Sequence, residues 1–454
     1  MTALSFGPPE NGRGKFAMTP AELSVMFFLQ MAVIITACRI VGWLAKRFLG
    51  QPQVVGEMIA GVMLGPSLLG LFAPNFSGWL FPQESRGLLF VVAQLGVGLY
   101  MFIVGLGFNV AHFKANAPSA ATVSLSGIAA PFALALLITP WLLQTPGLFS
   151  EGVPAPQAML FMGACIAITA FPMLARIIHE RGLSHSPLGT LALSAGAIDD
   201  AGAWIVLAIV LASLGAGAGM AITAIGGALI FVLFMITIGH RLLARLGPIA
   251  EREGKLNDTV LAIALGCFML SAFAMDFAGL HAVFGGFVLG AAMPRGFFAQ
   301  ELRKRLEPFI VTALLPVFFC YSGLNTQLTM VNNPSLLLIA AAILVASVAG
   351  KGGACYLAAR ATGQDNATAL GIGALMNARG LMELIIINIG LQRGVIEAPL
   401  FAMLVMMAVA TTLMASPLFE IVYGRRARER GELGALSDID DPPAKPVVRV
   451  NPAI

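Results

Sequence analysis

Two acids, Asp199 and Asp200, stand side by side near the centre of Leu191–Val210, LALSAGAIDDAGAWIVLAIV. The run is apolar and as long as the roughly 20 residues that cross a hydrocarbon core. A carboxylate at mid-depth costs roughly 2.5–3.5 kcal/mol on insertion scales, so an acid there marks a functional site by default. A carboxylate is a hard oxygen ligand suited to an alkali cation, and it also takes a proton. One aspartate holds either ion but not both, which is the chemical core of exchange. Small residues (Ser194, Ala195, Gly196, Ala197, Ala201, Gly202 and Ala203) surround the pair. They let neighbouring helices, water or an ion come close. The competing reading is a pair of structural acids neutralised by basic residues elsewhere.

Adjacent residues on a helix point about 100° apart. Asp199 and Asp200 can therefore serve different partners, one facing a cavity and the other a basic residue on a neighbouring helix. Lys351, in VAGKGGAC, is the natural basic partner, because the glycines beside it let another helix approach. Arg379 and Glu383 are four residues apart and can neutralise each other on one helical face. Such a pair serves either as a brace or directly at the site. Glu57, near the start of a span, reads as structural or dimer-related. Asp276 and His281 fall near a membrane interface, where packing is the favoured reading of His281 over a pH-sensitive group.

The elements that position these residues follow from composition. Of 454 residues, 58% are hydrophobic and 11% charged, with a mean hydropathy of +0.87. Such a chain cannot bury its apolar surface in a soluble core, so it reads as an all-α polytopic membrane protein. The net charge of +4 sits in loops and does not point to nucleic acid. Cys38, Cys165, Cys267, Cys320 and Cys355 lie in apolar runs without metal spacing and read as small buried hydrophobes. The segment before Thr19 is polar, and no cleavage site of the A-x-A kind follows the first span, so no removable signal peptide is expected.

Hydropathy and breakers outline about thirteen spans, at approximately 22–45, 53–73, 86–108, 118–143, 156–178, 187–213, 218–241, 257–277, 279–295, 306–326, 335–359, 367–391 and 398–423. Basic residues cluster in alternate loops: Lys46 and Arg47, Lys114, Arg176 and Arg181, Arg241 to Lys255, Arg303 to Arg305, Arg360, and Arg425 to Arg430. The positive-inside rule then puts the C-terminus in the cytoplasm, and an odd number of spans puts the N-terminus outside. Three regions are expected: an extracytoplasmic segment 1–21, a membrane domain 22–424, and a short disordered cytoplasmic tail 425–454.

An internal repeat runs through the spans. Ala60–Gly65 (AGVMLG) matches Gly285–Gly290 (GGFVLG), Val104–Leu106 (VGL) matches Ser322–Leu324 (SGL), and Glu180–Leu183 (ERGL) matches Gln392–Val395 (QRGV). Partners lie seven spans apart, so the halves enter the membrane from opposite sides. Inverted repeats are a hallmark of secondary transporters, with the site at the repeat interface. Two spans in matching positions are interrupted, the fifth by Thr169-Ala170-Phe171-Pro172 and the twelfth by Asn377-Ala378-Arg379-Gly380. Proline removes a donor and glycine loosens the helix, which frees backbone groups for an ion. Paired broken helices point to a transport site.

Four motifs carry a resemblance: QPQVVGEMIAGVMLGPSLLG (51–70), LFMGACIAITAFPMLARIIHERGL…SAGAIDDAGAWIVLA (160–208), DFAGLHAVFGGFVLGAAMP (276–294) and LMNARGLMELIIINIG (375–390). In this order they resemble the sodium/hydrogen exchanger superfamily, and within it the monovalent cation:proton antiporter-2 family. The resemblance covers roughly 22–424. It implies a thirteen-helix fold with a dimerisation domain, a mobile core domain and two discontinuous crossing helices. It also implies that Asp200 exchanges cation for proton, with transient Na⁺ or K⁺ ligation. Asp199 then pairs with Lys351, Thr169 is the polar group at the fifth-span break, and Pro172, Asn377, Arg379 and Glu383 support the breaks. The chain has Ile-Asp-Asp where the gated potassium efflux branch has Gln-x-Asp, while its MNARG motif leans to the plant exchangers, which often handle potassium.

The reading is a secondary antiporter of a bacterial inner membrane, not an enzyme. It exchanges a monovalent cation for protons by alternating access, Na⁺ first and K⁺ or Li⁺ as alternatives. The resemblance also implies a homodimer, a role in pH homeostasis, and more protons than cations per cycle. No cofactor and no nucleic-acid partner are expected. A channel is disfavoured by the paired broken helices. An intramembrane aspartyl enzyme is disfavoured because its acids belong on two facing helices that share one site.

Overall fold

In the computed structural model the described residues are 18–429, except 50, 52, 109, 185, 212, 214–217, 280–281 and 325–332. Residues 1–17, His281 and the tail from 430 lie outside them. Among the described residues the chain builds helices and no strand. The longer ones are α1 (Pro20–Leu49), α2 (Gln53–Leu64), α3 (Gln83–Gly107), α4 (Val110–Leu143), α5 (Ala155–Ala167), α6 (Phe171–Glu180), α7 (Pro187–Leu211) and α8 (Ala218–Phe234). They continue with α9 (Asp258–Phe277), α10 (Ala282–Ala292), α11 (Phe297–Phe309), α12 (Leu315–Leu324), α13 (Pro334–Ala361), α14 (Asn366–Leu375), α15 (Leu381–Gln392) and α16 (Ala398–Phe419). Nine stretches among the described residues are long and apolar enough to cross a membrane, and α10 and α14 are shorter apolar helices. A helix keeps its backbone hydrogen bonds to itself, which is why apolar runs of this length fold this way in lipid.

Asp276 has a local reason to be near a span end. Its Oδ1 accepts the Ala282 N–H at 2.8 Å, so it caps the start of α10 and separates that helix from α9.

Two of the three repeated motif pairs reappear as matched contacts. A Cβ on Gly61 would lie 2.6 Å from the Phe319 carbonyl, and one on Gly323 would lie 2.1 Å from the Gly61 carbonyl carbon. Thus α2 and α12 touch backbone to backbone. In the other pair, a Cβ on Gly290 would lie 2.2 Å from the Phe102 carbonyl, and one on Gly105 would lie 2.3 Å from that of Phe287. Thus α10 and α3 touch in the same way. Each contact joins a motif of one half to a motif of the other. The third pair of motifs ends α6 and α15. Gly182 (φ 70°) and Gly394 (φ 65°) are left-handed, where a Cβ is disfavoured. Leu183 N–H donates to Ile178 O at 3.0 Å and Val395 N–H to Gly390 O at 2.8 Å. Both are Schellman caps, with the following apolar residue closing the turn.

Packing sorts the helices into two sets. One holds α1, α2, α3, α9, α10, α11 and α12. The other holds α4 to α7 and α13 to α16, while α8 lies between them, packed on α7 with its continuation 235–239 packed on α10. Contacts between the sets are sparse and involve α6 against α2 and α3, and α15 against α12. Within the second set the interrupted spans meet at their breaks. Residues 168–170 between α5 and α6 belong to no helix, nor do 378–380 before α15, and Ile168, Ala170 and Gly380 are extended. Ala170 N–H donates to Ala378 O at 3.0 Å, and Thr169 Oγ1 donates to Met376 O at 2.9 Å. Two short non-helical segments therefore bond to each other at the crossing.

The glycine contacts make a stability prediction. Gly323→Leu is expected to destabilise the purified protein by at least about 1–3 kcal/mol, because its neighbours there are backbone atoms that cannot rotate away. Gly353 has open space around its Cβ position. Gly353→Ala is expected to be neutral or stabilising by about 0.5–1 kcal/mol. Thermal unfolding in detergent compares the two.

Candidate functional site

Breaking a helix exposes the carbonyls of its last turn. At the end of α5 these are Cys165, Ile166 and Ala167, and two buried cations take them. Arg379 donates from Nη1 to Cys165 O at 2.8 Å and from Nη2 to Ile166 O at 2.6 Å. Lys351 donates from Nζ to Ala167 O, and to Gly127 O of α4 at 3.2 Å. A positive charge at a helix C-terminus also complements the helix dipole.

Each cation has its acid. Lys351 Nζ lies 2.9 Å from Asp199 Oδ2, and both side chains are fully buried. Asp199 accepts two further hydrogen bonds, from Thr169 N–H at 3.2 Å and from Ser124 Oγ at 3.3 Å. Arg379 Nη1 lies 3.1 Å from Glu383 Oε1, and its Nη2 donates to Ser347 Oγ. This pair differs in origin from the helical spacing expected of it. Arg379 precedes α15 and lies in the non-helical break, so the two meet because the chain enters the helix there. The Arg379 backbone is held as well. Its N–H donates to Thr412 Oγ1 at 3.0 Å, and that hydroxyl lies 2.8 Å from Arg379 O.

Asp200 is placed otherwise. It is 3% exposed, and its Oδ1 has no hydrogen-bond partner among the described residues. The neighbouring glycines of α7 admit close packing on either side. A Cβ on Gly196 would lie 2.7 Å from Leu174 of α6, and one on Gly202 would lie 2.9 Å from Ile128 of α4. Thr169 sits at the break beside Asp199. Its hydroxyl proton goes to Met376 O, so the oxygen presents lone pairs only. Asn377 donates to Gly373 O at 2.8 Å, and its buried Oδ1 has no partner among the described residues. Pro172 lies in the first turn of α6. There its missing N–H would be unbonded in any case, so it starts the second half-helix rather than kinking one helix. The groups freed by the break are the α5 carbonyls.

The structure thus brings Asp199, Lys351 and Thr169 into one bonded cluster, and Arg379 and Glu383 into a second, both joined to the end of α5. Sequence reasoning missed Ser124, Ser347, Thr412 and the Gly127 carbonyl. Ser347 had a signal, since it lies four residues before Lys351 and so on the same face of α13. Ser124 and Thr412 had none beyond being polar in apolar runs. Among the described residues no group of three or more His, Cys, Asp or Glu side chains is arranged to hold a resident metal.

The chain is similar to known proteins in sequence and in fold. Residues 32–422 match the model of the transmembrane sodium/hydrogen exchanger family. The chain is 38% identical over 401 residues to the Na⁺/H⁺ antiporter NhaS4 of Synechocystis, covering 88% of this chain and 97% of that protein. It is 34% identical over 405 residues to cation/H⁺ antiporter 17 of Arabidopsis thaliana, covering 88% of this chain and 48% of the plant protein, so it spans about half of that relative's length. The solved structure of the sodium proton antiporter MjNhaP1 from Methanocaldococcus jannaschii superposes with a TM-score of 0.63 at 15% identity, covering 91% of this chain and all of that one. That likeness is one of fold. With the family model matched across almost the whole membrane region, the chain belongs to the sodium/hydrogen exchanger family.

Proposed function

We propose that this multi-pass membrane protein is a secondary antiporter that exchanges a monovalent cation, Na⁺ first, for protons, with Asp200 as the group where the two compete. The charge tally at the crossing supports this most directly. Lys351 and Arg379 supply two buried positive charges, and Asp199, Glu383 and Asp200 supply three buried acids. Each cation is paired, so Asp200 is the acid left over. An unpaired carboxylate buried away from water is costly, and one proton or one alkali cation removes that cost. Either occupant neutralises the site and neither can share it, so entry of one requires departure of the other.

In the cycle Asp200 loses its proton towards one face and takes Na⁺, with oxygens of Thr169 and Asn377 as further ligands. The set containing α4–α7 and α13–α16 then moves as the core domain against the other set, which serves as the dimerisation domain of a homodimer. A proton from the far face displaces the cation. The Asp199–Lys351 pair lies one residue from the binding acid and bonds the break through Thr169 and Ala167, so it responds to occupancy. The protein is assigned to a bacterial inner membrane, with the N-terminus outside, 22–424 as the transport domain and the segment after 424 in the cytoplasm.

Two experiments test this reading. The first follows proton movement in proteoliposomes on addition of Na⁺, Li⁺ or K⁺. Wild type is expected to release protons with Na⁺, and Asp200→Asn to lose the response to every cation. A mutant that still exchanges puts the site elsewhere, and a response to K⁺ alone reverses the choice of ion. The second is Lys351→Ala, which leaves Asp199 buried without its cation and exposes the Ala167 carbonyl. It is expected to cost about 3–5 kcal/mol of stability, as breaking a buried pair does. The double variant Lys351→Ala, Asp199→Ala is expected to recover part of that loss in the same thermal assay, and failure to recover any means the two side chains are not coupled.

A further inference from the structure

Glu57 is a buried acid that the cycle above does not use. It lies on α2, is fully buried, and belongs to the helix set opposite Asp200. Its Oε1 accepts from Gln53 Nε2 at 3.1 Å, and its Oε2 has no hydrogen-bond partner among the described residues. A structural acid in an apolar layer is bonded at both oxygens or paired with a cation. Glu57 has a neutral amide. The guanidinium of Arg176 on α6, which also acts on Glu57, is already ion-paired with Glu180 at 2.6 Å.

The surroundings are specific. A cavity of about 930 Å³ opens beside this point at the end of the molecule that carries the basic loops, lined among others by Arg39, Gln53, Arg176, His179, Glu180 and Glu307. Val54 N–H donates to Glu180 Oε2 at 3.4 Å, which sets the depth of α2 against α6. Glu57 lies three residues along α2 from that contact, about one turn towards the interior. Arg176 lies one turn in along α6, and about 7.5 Å further along the same helix is Phe171 at the break. Glu57 therefore stands part of the way between the cavity and the crossing. Charged or titratable groups reach it from each neighbour. From α6 these are Arg176 and Glu180, and from α1 Arg39, which donates to Thr312 Oγ1 at 2.8 Å. From α1 there is also the Cys38 thiol, which donates to the Glu57 backbone carbonyl at 3.7 Å, with the Cys320 thiol of α12 beyond it. From α3, Tyr100 lies behind Arg176.

We propose that Glu57 is a second proton-binding group, which relays protons between the cavity at the basic-loop end and Asp200. The inference rests on the antiport reading. In each transfer an O–H bond breaks on one carboxyl and forms on the other, over intervening water, with no net chemical change. Gln53 suits the task, because an amide donates to the ionised carboxylate and, turned over, accepts from the protonated acid. A lysine or arginine in its place would hold the carboxylate in one state. The cation need not follow the same route.

The test measures Na⁺-driven proton movement in oriented proteoliposomes, varying pH at the basic-loop face, for wild type, Glu57→Gln and Glu57→Asp. Glu57→Gln keeps the shape and the Gln53 contact but carries no exchangeable carboxyl proton. It is expected to slow exchange about tenfold or more, within the range for losing a proton-transfer group. It is also expected to remove one ionisation from the pH profile at that face while leaving the number of protons moved per Na⁺ unchanged. Glu57→Asp is expected to restore the ionisation and part of the rate. An unchanged profile in Glu57→Gln overturns the inference. So does a slowing that is equal at every pH and no better with Asp than with Gln, which marks a structural role. A wild type without Na⁺-driven proton movement overturns the antiport reading itself.

Discussion

Backbone polar groups opened inside an apolar layer have no water to turn to, and this one constraint organises the site. The break after α5 leaves three carbonyls that need donors. Lys351 and Arg379 supply them, and each brings a full positive charge into a place where charge is costly. The cations in turn require Asp199 and Glu383. The break, the two cations and the two acids form a single consistent set, in which removing any member leaves another unsatisfied. Asp200 stands outside that set, and this is what leaves its Oδ1 without a partner among the described residues.

The same constraint accounts for the spread of the supporting residues over the chain. The Asp199–Lys351 pair draws on Ser124 and Gly127 of α4, and Arg379 draws on Ser347 of α13 and Thr412 of α16. Together with α7, which carries Asp199, four helices are thereby tied to one crossing by hydrogen bonds rather than by apolar packing, which discriminates little between helix faces in lipid. The glycine contacts serve the opposite set. Where α2 meets α12 and α10 meets α3, close backbone approach does the holding. The first set is held by these glycine faces, and the second adds to its polar bonds around the breaks a glycine contact of its own, Gly373 of α14 against the Gly352 backbone of α13. Direct contacts between them are few, and α8 packs between them.

Much was legible in the chain itself, for definite reasons. Helices in lipid announce themselves by length and hydropathy, because nothing else satisfies the backbone there. Acids and bases at mid-span stand out against an apolar background, so Asp199, Asp200, Lys351, Arg379 and Glu383 were visible as candidates. The repeated glycine motifs were legible as repeats, but not that those of α2 and α12, and of α3 and α10, would touch across the two halves. Linear order does not say which helices become neighbours.

The sequence by itself determined the helical membrane architecture, the positions of the two breaks and the short set of buried charges, since each depends on local composition and the cost of burial. Only the tertiary structure decided which acid is paired and which is left over. Asp199 and Asp200 are adjacent and chemically identical, and their difference comes from the direction each takes off α7. One points to Lys351, Thr169 and Ser124, drawn from three other parts of the chain, and the other does not. A partnership such as that of Arg379 with the Cys165 carbonyl, 214 positions away, exists only once the two broken helices have crossed.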